Sequence, residues 1–165
     1  MSAARRILVL GIGNPDRGDD GVGAFVADRL RGRLDPGCEV RACVGDVLGI
    51  VDGCAGFQAW VCVDCAAPIE APGRVYRIDL AAQELPPELL AASSHSLGIT
   101  AAIELARTLG AAPRDIVFYA VEGRCFDLGA GLSVPVAAAA IELVEQIVQE
   151  VQDLRQARQI SADPR

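Results

Sequence analysis

The run Arg5-Arg-Ile-Leu-Val-Leu10, followed at once by GIGNPDRGDDGVG over Gly11–Gly23, constrains this chain more than any other stretch. A continuous β-branched and leucine-rich strand has no polar face to turn towards water, so it belongs inside a parallel sheet covered on both sides. Glycines, a proline and three aspartates then break the strand, and Val22, Phe25, Val26, Arg29 and Leu30 follow at helical spacing, with Arg29 at the edge of the stripe. Asp19 or Asp20 is the natural N-cap of that helix. The opening unit therefore reads as strand, acidic loop, helix.

The same alternation recurs downstream. Cys38–Val44 reads as a second strand, VLGIVDGCAG as a short glycine-interrupted helix, and Gln58–Ala66 as a third strand. Arg74–Leu80 alternates as a half-exposed or edge strand does, and ELPPELL makes a short helical turn with prolines at its start. Ser93 and Ser94 offer caps ahead of a helix from about Leu97 to Leu109, with Ile99, Ala102, Ile103 and Ala106 on one face. Asp115–Val121 is the fifth strand. Pro135 opens a last helix running to about Arg155, striped by Val136, Ala140, Leu143, Ile147 and Val151. The expectation is an α/β three-layer sandwich, a mainly parallel five-stranded sheet with helices on both faces, forming one domain over residues 1–158 with a frayed tail at 159–165. In such sheets ligands sit outside the carboxyl ends of the strands, where the Gly11–Gly23 loop and Asp64 fall.

Composition narrows the chemistry. The chain is 52% apolar but only 4% aromatic, which suits a core of Val, Leu, Ile and Ala. Its net charge is −7 and it contains no lysine, so a phosphate-tracking face for nucleic acid is not expected. The missing lysine also removes Walker-type phosphate sites and Schiff-base chemistry. The apolar run before Gly11 is too short for a secretory leader and nothing approaches a membrane span, so a soluble cytoplasmic protein is expected. Cys38, Cys43, Cys54, Cys62, Cys65 and Cys125 then read as reduced thiols in a core.

A dinucleotide site at GIGNPDRG fails, because Asp16 occupies the third glycine position and Asp16, Asp19 and Asp20 would repel a pyrophosphate. What remains is an acidic loop in which Gly18 and Gly21 can turn the carboxylates inward. Asp64, within VCVDCAAP, is surrounded by apolar strand residues and needs partners at that depth; it reads as a strand-end ion-pairing residue, a metal ligand or a catalytic carboxylate. His95 is the single histidine; it reads as a capping residue or, with two acidic positions at the same sheet edge, as the nitrogen donor of a set suited to a divalent transition metal. Cys62 and Cys65 would point to opposite faces of a strand, and no second pair completes a zinc site. A serine triad lacks its G-x-S-x-G elbow. Asn14 is placed to hold the loop through its side-chain amide.

Taken together, ILVLGIGNPDRGDDGVG, VCVDCAAP, SSHSLGI and AVEGRCFDLGAGLSVPV are colinear over nearly the whole chain and resemble the [NiFe]-hydrogenase maturation endopeptidases. The resemblance implies removal of a short C-terminal extension from the hydrogenase large-subunit precursor after nickel has entered it. It implies that Asp20, Asp64 and His95 contact that nickel, with Asp19 beside Asp20 leaving a one-residue ambiguity. The family's acidic residue after the second strand is matched, shifted in register, by Asp46 as a second-tier candidate. Nickel would be supplied by the substrate, with no permanently bound cofactor, no membrane partner, and a monomeric protein. Its role stays open between recognition mark, Lewis acid and hydroxide source. Three ligands on mobile loops leave positions for substrate groups. Two other readings are a non-catalytic nickel-checking binding module and a free-standing metallopeptidase with its own metal. EGRCFDLGAGLS, with Glu122, reads as a flexible wall for the peptide tail.

Overall fold

In the computed structural model, which describes residues 5–45, 47–92 and 96–157, every residue of β1 (Ile7–Ile12) and β3 (Ala59–Ala66) is buried, as their unbroken apolar sequences require. They form the centre of a sheet completed by β2 (Cys38–Cys43), β4 (Val75–Asp79) and β5 (Asp115–Glu122), in the order β2-β1-β3-β5-β4. β1, β2, β3 and β5 run parallel; β4 closes the far edge antiparallel to β5. The half-buried pattern of β4 matches the alternation in its sequence. The helices are α1 (Val22–Leu30), α2 (Val47–Gly53), α3 (Pro87–Ala92), α4 (Ser96–Thr108) and α5 (Val134–Gln156).

Strand parity sorts the core into two layers. Leu8, Leu10, Trp60, Cys62 and Phe118 pack with Ile50, Leu89, Ile99 and Ile103 from α2, α3 and α4. Ile7, Val9, Val61, Val63 and Tyr119 pack with Val22, Val26 and Leu30 of α1 and with Val136, Leu143 and Ile147 of α5. Each such side chain contributes roughly 1.5–3 kcal/mol on full burial. The expected three-layer α/β sandwich is the observed fold, and Cys62 and Cys65 fall in opposite layers. No helix among the described residues is long and apolar enough to cross a membrane.

Several local expectations need correction. Asp19 and Asp20 do not cap α1; its N-cap is Gly21, with no side-chain cap bond, and both aspartates lie inside a 3-10 turn over Gly18–Gly21. All six cysteines are free, but only Cys54, Cys62 and Cys65 are fully buried. Cys38 and Cys43 are half-exposed because β2 is an edge strand, and Cys125 because it lies in the loop after β5. Residues 1–4, Asp46, Ser93, Ser94, His95 and the tail from 158 lie outside the described residues.

Two contacts fix how the layers sit. Gly11 and Gly23 let the first turn of α1 rest on the strand backbones: a Cβ on Gly23 would stand 2.4 Å from the carbonyl oxygen of Ile12 and 2.8 Å from that of Val63. On the same side of the sheet, Glu150 of α5 accepts from the Tyr119 hydroxyl at 2.6 Å and from Arg77 Nε and Nη2 at 2.7 and 2.8 Å, tying α5 to β5 and β4. The Arg77 guanidinium holds the Glu150 carboxyl below its usual value, against the opposing effect of burial, while burial and the bond to Glu150 push the Tyr119 hydroxyl up.

Gly23→Ala should cost upward of about 2 kcal/mol in urea unfolding because neither carbonyl can yield cheaply. Gly131→Ala, where an added Cβ meets nothing within 4 Å, should change stability by less than about 0.5 kcal/mol. Glu150→Ala should be about 1–3 kcal/mol less stable at neutral pH. A folded-state value depressed below the usual 4.5 gives stability that is present above that pH and lost as pH falls through the lower folded value. The gap between Glu150→Ala and the parent protein should therefore narrow below about pH 4.5 in acid-titrated melts.

Candidate active site

From β1 the chain crosses by α1 to β2 on one side, whereas β3, on the other side of β1, leads on through β4, α3 and α4 to β5. The crevice outside the carboxyl ends of β1 and β3 is thus the switch point where α/β sheets bind ligands. The acidic loop folds back over it. Gly13, at φ 124°, brings the chain so close that a Cβ there would stand 2.1 Å from the Asp20 carbonyl oxygen. The Asn14 side-chain oxygen accepts from the Asp16 amide at 2.9 Å, the Asx turn expected of it. Gly18, Asp19, Asp20 and Gly21 are all buried, so this segment is a packed turn and not the mobile loop that its composition suggests.

Asp20 is 7% exposed, and its Oδ2 accepts from the Asn14 amide at 2.9 Å. Asp64 is 1% exposed, and its Oδ1 accepts from the Cys65 amide at 2.8 Å. By parity with Cys62, Asp64 lies on the sheet face covered by α4, whose first residue, Ser96, follows His95 in sequence. Burial pushes the Cys65 thiol up, and the charges of Asp64, Asp19 and Asp20 push it further. Burial also raises Cys62, leaving both as thiols at neutral pH and poor nucleophiles. Among the described residues no group of three His, Cys, Asp or Glu could hold a metal ion by itself. His95 and Asp46, expected beside Asp20 and Asp64, lie outside those residues.

Asp19 has a different surrounding from its neighbour. Fully buried, it accepts through Oδ2 from the amides of Arg124 and Cys125 at 2.7 and 2.9 Å and from the Ser133 hydroxyl at 2.8 Å, and through Oδ1 from the Ser133 amide at 2.6 Å. Burial works to raise its carboxyl, but the amides of Cys125, Ser133 and Arg124 outweigh it and hold the group below its ordinary range. Glu122 also departs from the expected flexible wall. It is fully buried at the end of β5, accepting from the Ile69 and Glu70 amides and from the Tyr76 hydroxyl at 3.0 Å, so it anchors the loop after β3. Neither role was legible in sequence, because the partners lie more than 40 residues away.

Around this edge the loops expose large apolar side chains: Val44 after β2, Ile69 after β3, Leu128 after β5 and Val134 at the start of α5, at 57, 37, 79 and 85% exposure. Phe25, Ala42 and Leu132 help line an adjacent cavity of about 490 Å³ beside Gly18 and Gly21.

The HycI family model, described as hydrogenase maturation protease, matches residues 48–150, well over half of the chain. No curated protein sequence matches it significantly. Among solved structures, the fold is shared with the hydrogenase maturating endopeptidase HybD of E. coli at 21% identity and a TM-score of 0.75, covering 90% of this chain and 93% of that one. The [NiFe] hydrogenase maturation protease HybD of Thermococcus kodakarensis matches at 24% identity and 0.70, covering 88% and 98%. HycI, the [NiFe] hydrogenase maturation protease of Thermococcus kodakarensis KOD1, matches at 28% identity and 0.69, covering 90% and 93%. With the family model matched through β3, α4 and β5 and the α/β fold shared over nine-tenths of its length, this chain belongs to the hydrogenase maturation protease family.

Proposed function

We propose that the protein is an endopeptidase that removes the C-terminal extension of a [NiFe]-hydrogenase large-subunit precursor after nickel insertion, acting as a cytoplasmic monomer with no resident cofactor. The nickel arrives with the substrate, and Asp20, Asp64 and His95 contact it. The observation that carries this reading is the burial of two carboxylates, Asp20 and Asp64, near the carboxyl ends of β1 and β3 in a chain of this family.

Two oxygen donors with an imidazole suit a divalent first-row metal, and three contacts leave room for the precursor's own ligands. Asp46, which follows β2 in the chain, is a second-tier contributor. The exposed Val44, Ile69, Leu128 and Val134 around the same edge suit docking of a folded protein more than capture of a short free peptide.

The test is the intact mass of large-subunit precursors incubated with the protein, with and without nickel loaded. Loss of a C-terminal fragment from the nickel-loaded form alone is the expected result. His95→Ala and Asp20→Asn should each slow that loss by more than about 100-fold, since each removes a direct contact to the metal. Cleavage of nickel-free precursor at the same rate would refute the metal-gated reading. A nickel-dependent complex with no change of mass would favour a non-catalytic checking module, and cleavage of short peptides by protein that purifies with its own metal would favour a free-standing metallopeptidase.

A further inference from the structure

The turn that carries Asp20 is fastened along its length to residues 124–133, the segment between β5 and α5. Asp19 N–H donates to the Cys125 carbonyl at 2.8 Å, Gly18 N–H to that of Ala130 at 3.1 Å, and Gly129 N–H to that of Asp16 at 2.7 Å. Arg17 and Leu128 form an isolated β-bridge between the two segments. Gly18, at φ 54°, permits the approach: a Cβ there would stand 2.3 Å from the Cys125 carbonyl oxygen. Across this seam the Asp19 carboxylate collects the amides of Arg124, Cys125 and Ser133 and the Ser133 hydroxyl. Three of these donors converge on Oδ2 and the fourth on Oδ1, so both carboxylate oxygens are bonded to the far segment. Ser133 stands at the N-cap of α5, yet its hydroxyl serves Asp19 and makes no cap bond to its own helix.

We propose that Asp19 is a positioning residue of the active site and not one of its nickel contacts, an inference that rests on the function proposed above. Asp19 is fully buried, and turning it towards a metal would break its charge-assisted bonds to the far segment. Its effect on the reaction passes through the next residue. Asp20 N–H donates to the Arg17 carbonyl at 3.1 Å and the Asp20 carboxylate accepts from Asn14 at 2.9 Å, so Asp20 belongs to the same short turn. With residues 16–19 held to the far segment, the Asp20 carboxylate is kept over the ends of β1 and β3. When the seam loosens the carboxylate shifts, and a misplacement of about 1 Å is enough to slow a reaction about 100-fold. The aspartate pair thus divides its work: one fixes the turn, the other faces the substrate.

The experiment compares Asp19→Asn, Ser133→Ala and Asp20→Asn on the nickel-loaded precursor, measuring kcat and KM separately and following the Asn14 backbone amide by ¹⁵N–¹H spectroscopy. That amide reports the Asp20 carboxylate directly because it donates to it. Asp19→Asn should lower kcat about 100-fold with KM within about threefold of the parent, and should move the Asn14 resonance while the core resonances stay in place. Ser133→Ala, which keeps the three backbone donors, should lower kcat by less than about 10-fold and move the same resonance less. A folded Asp19→Asn protein with parental kcat, or with a raised KM alone, overturns the inference, the latter pattern marking a lost ground-state contact. If Asp19→Asn does not fold, Ser133→Ala carries the test, and parental kcat with an unmoved Asn14 resonance overturns it. Asp20→Asn separates the two levels. Parental processing by Asp20→Asn refutes the proposed site and this inference with it, whereas inactive Asp20→Asn beside fully active Asp19→Asn refutes this inference alone.

Discussion

One buried carboxylate organises the carboxyl edge of this sheet. Asp19 is fully buried, and a bare charge at that depth costs several kcal/mol unless it is compensated. The compensation comes from three backbone amides and a hydroxyl supplied by residues 124–133, more than a hundred positions along the chain. The same bonds satisfy donors of a loop that would otherwise leave amides unpaired beside the core, including that of Ser133 at the N-cap of α5. The acidic turn and the loop after β5 are therefore bonded into one structure.

Glycines make that union sterically possible. Gly11 and Gly23 remove side chains where α1 touches β1 and β3, Gly13 allows the loop to return over the strand ends, and Gly18 admits the Cys125 carbonyl. Close approach of the turn to the strand ends goes with burial of the carboxylates of Asp20 and Asp64. Asp19, bonded to residues 124–133, and Asp20, bonded to Asn14, are neighbours in this turn. A substitution at one is therefore read through the other.

The sequence and the structure agree most closely where a single periodicity decides the outcome. The buried run of β1, the alternation of β4 and the stripe Val136, Ala140, Leu143, Ile147 and Val151 each answer to local burial, and all lie where their patterns place them. Agreement fails where a polar side chain must choose among distant partners. Asp19, Asp20 and Ser133 all carry the chemistry of helix caps, yet α1 and α5 begin without a side-chain cap bond. The tertiary partners offer Asp19 four donors, against the one or two amides that a cap would supply. Glu122 likewise reads as part of a flexible wall for the peptide tail, but its buried carboxylate holds the loop after β3.

The amino-acid order by itself determined the layered α/β class, the positions of the strands and helices, and the gathering of acidic residues where β1 and β3 end, because hydrophobic period and glycine placement are local properties. Only the tertiary structure decided which of two adjacent aspartates is committed to holding the fold. That choice depends on donors brought from residues 124–133, and such donors exist around Asp19 only once β5 has paired with β3 and delivered its loop to the same edge.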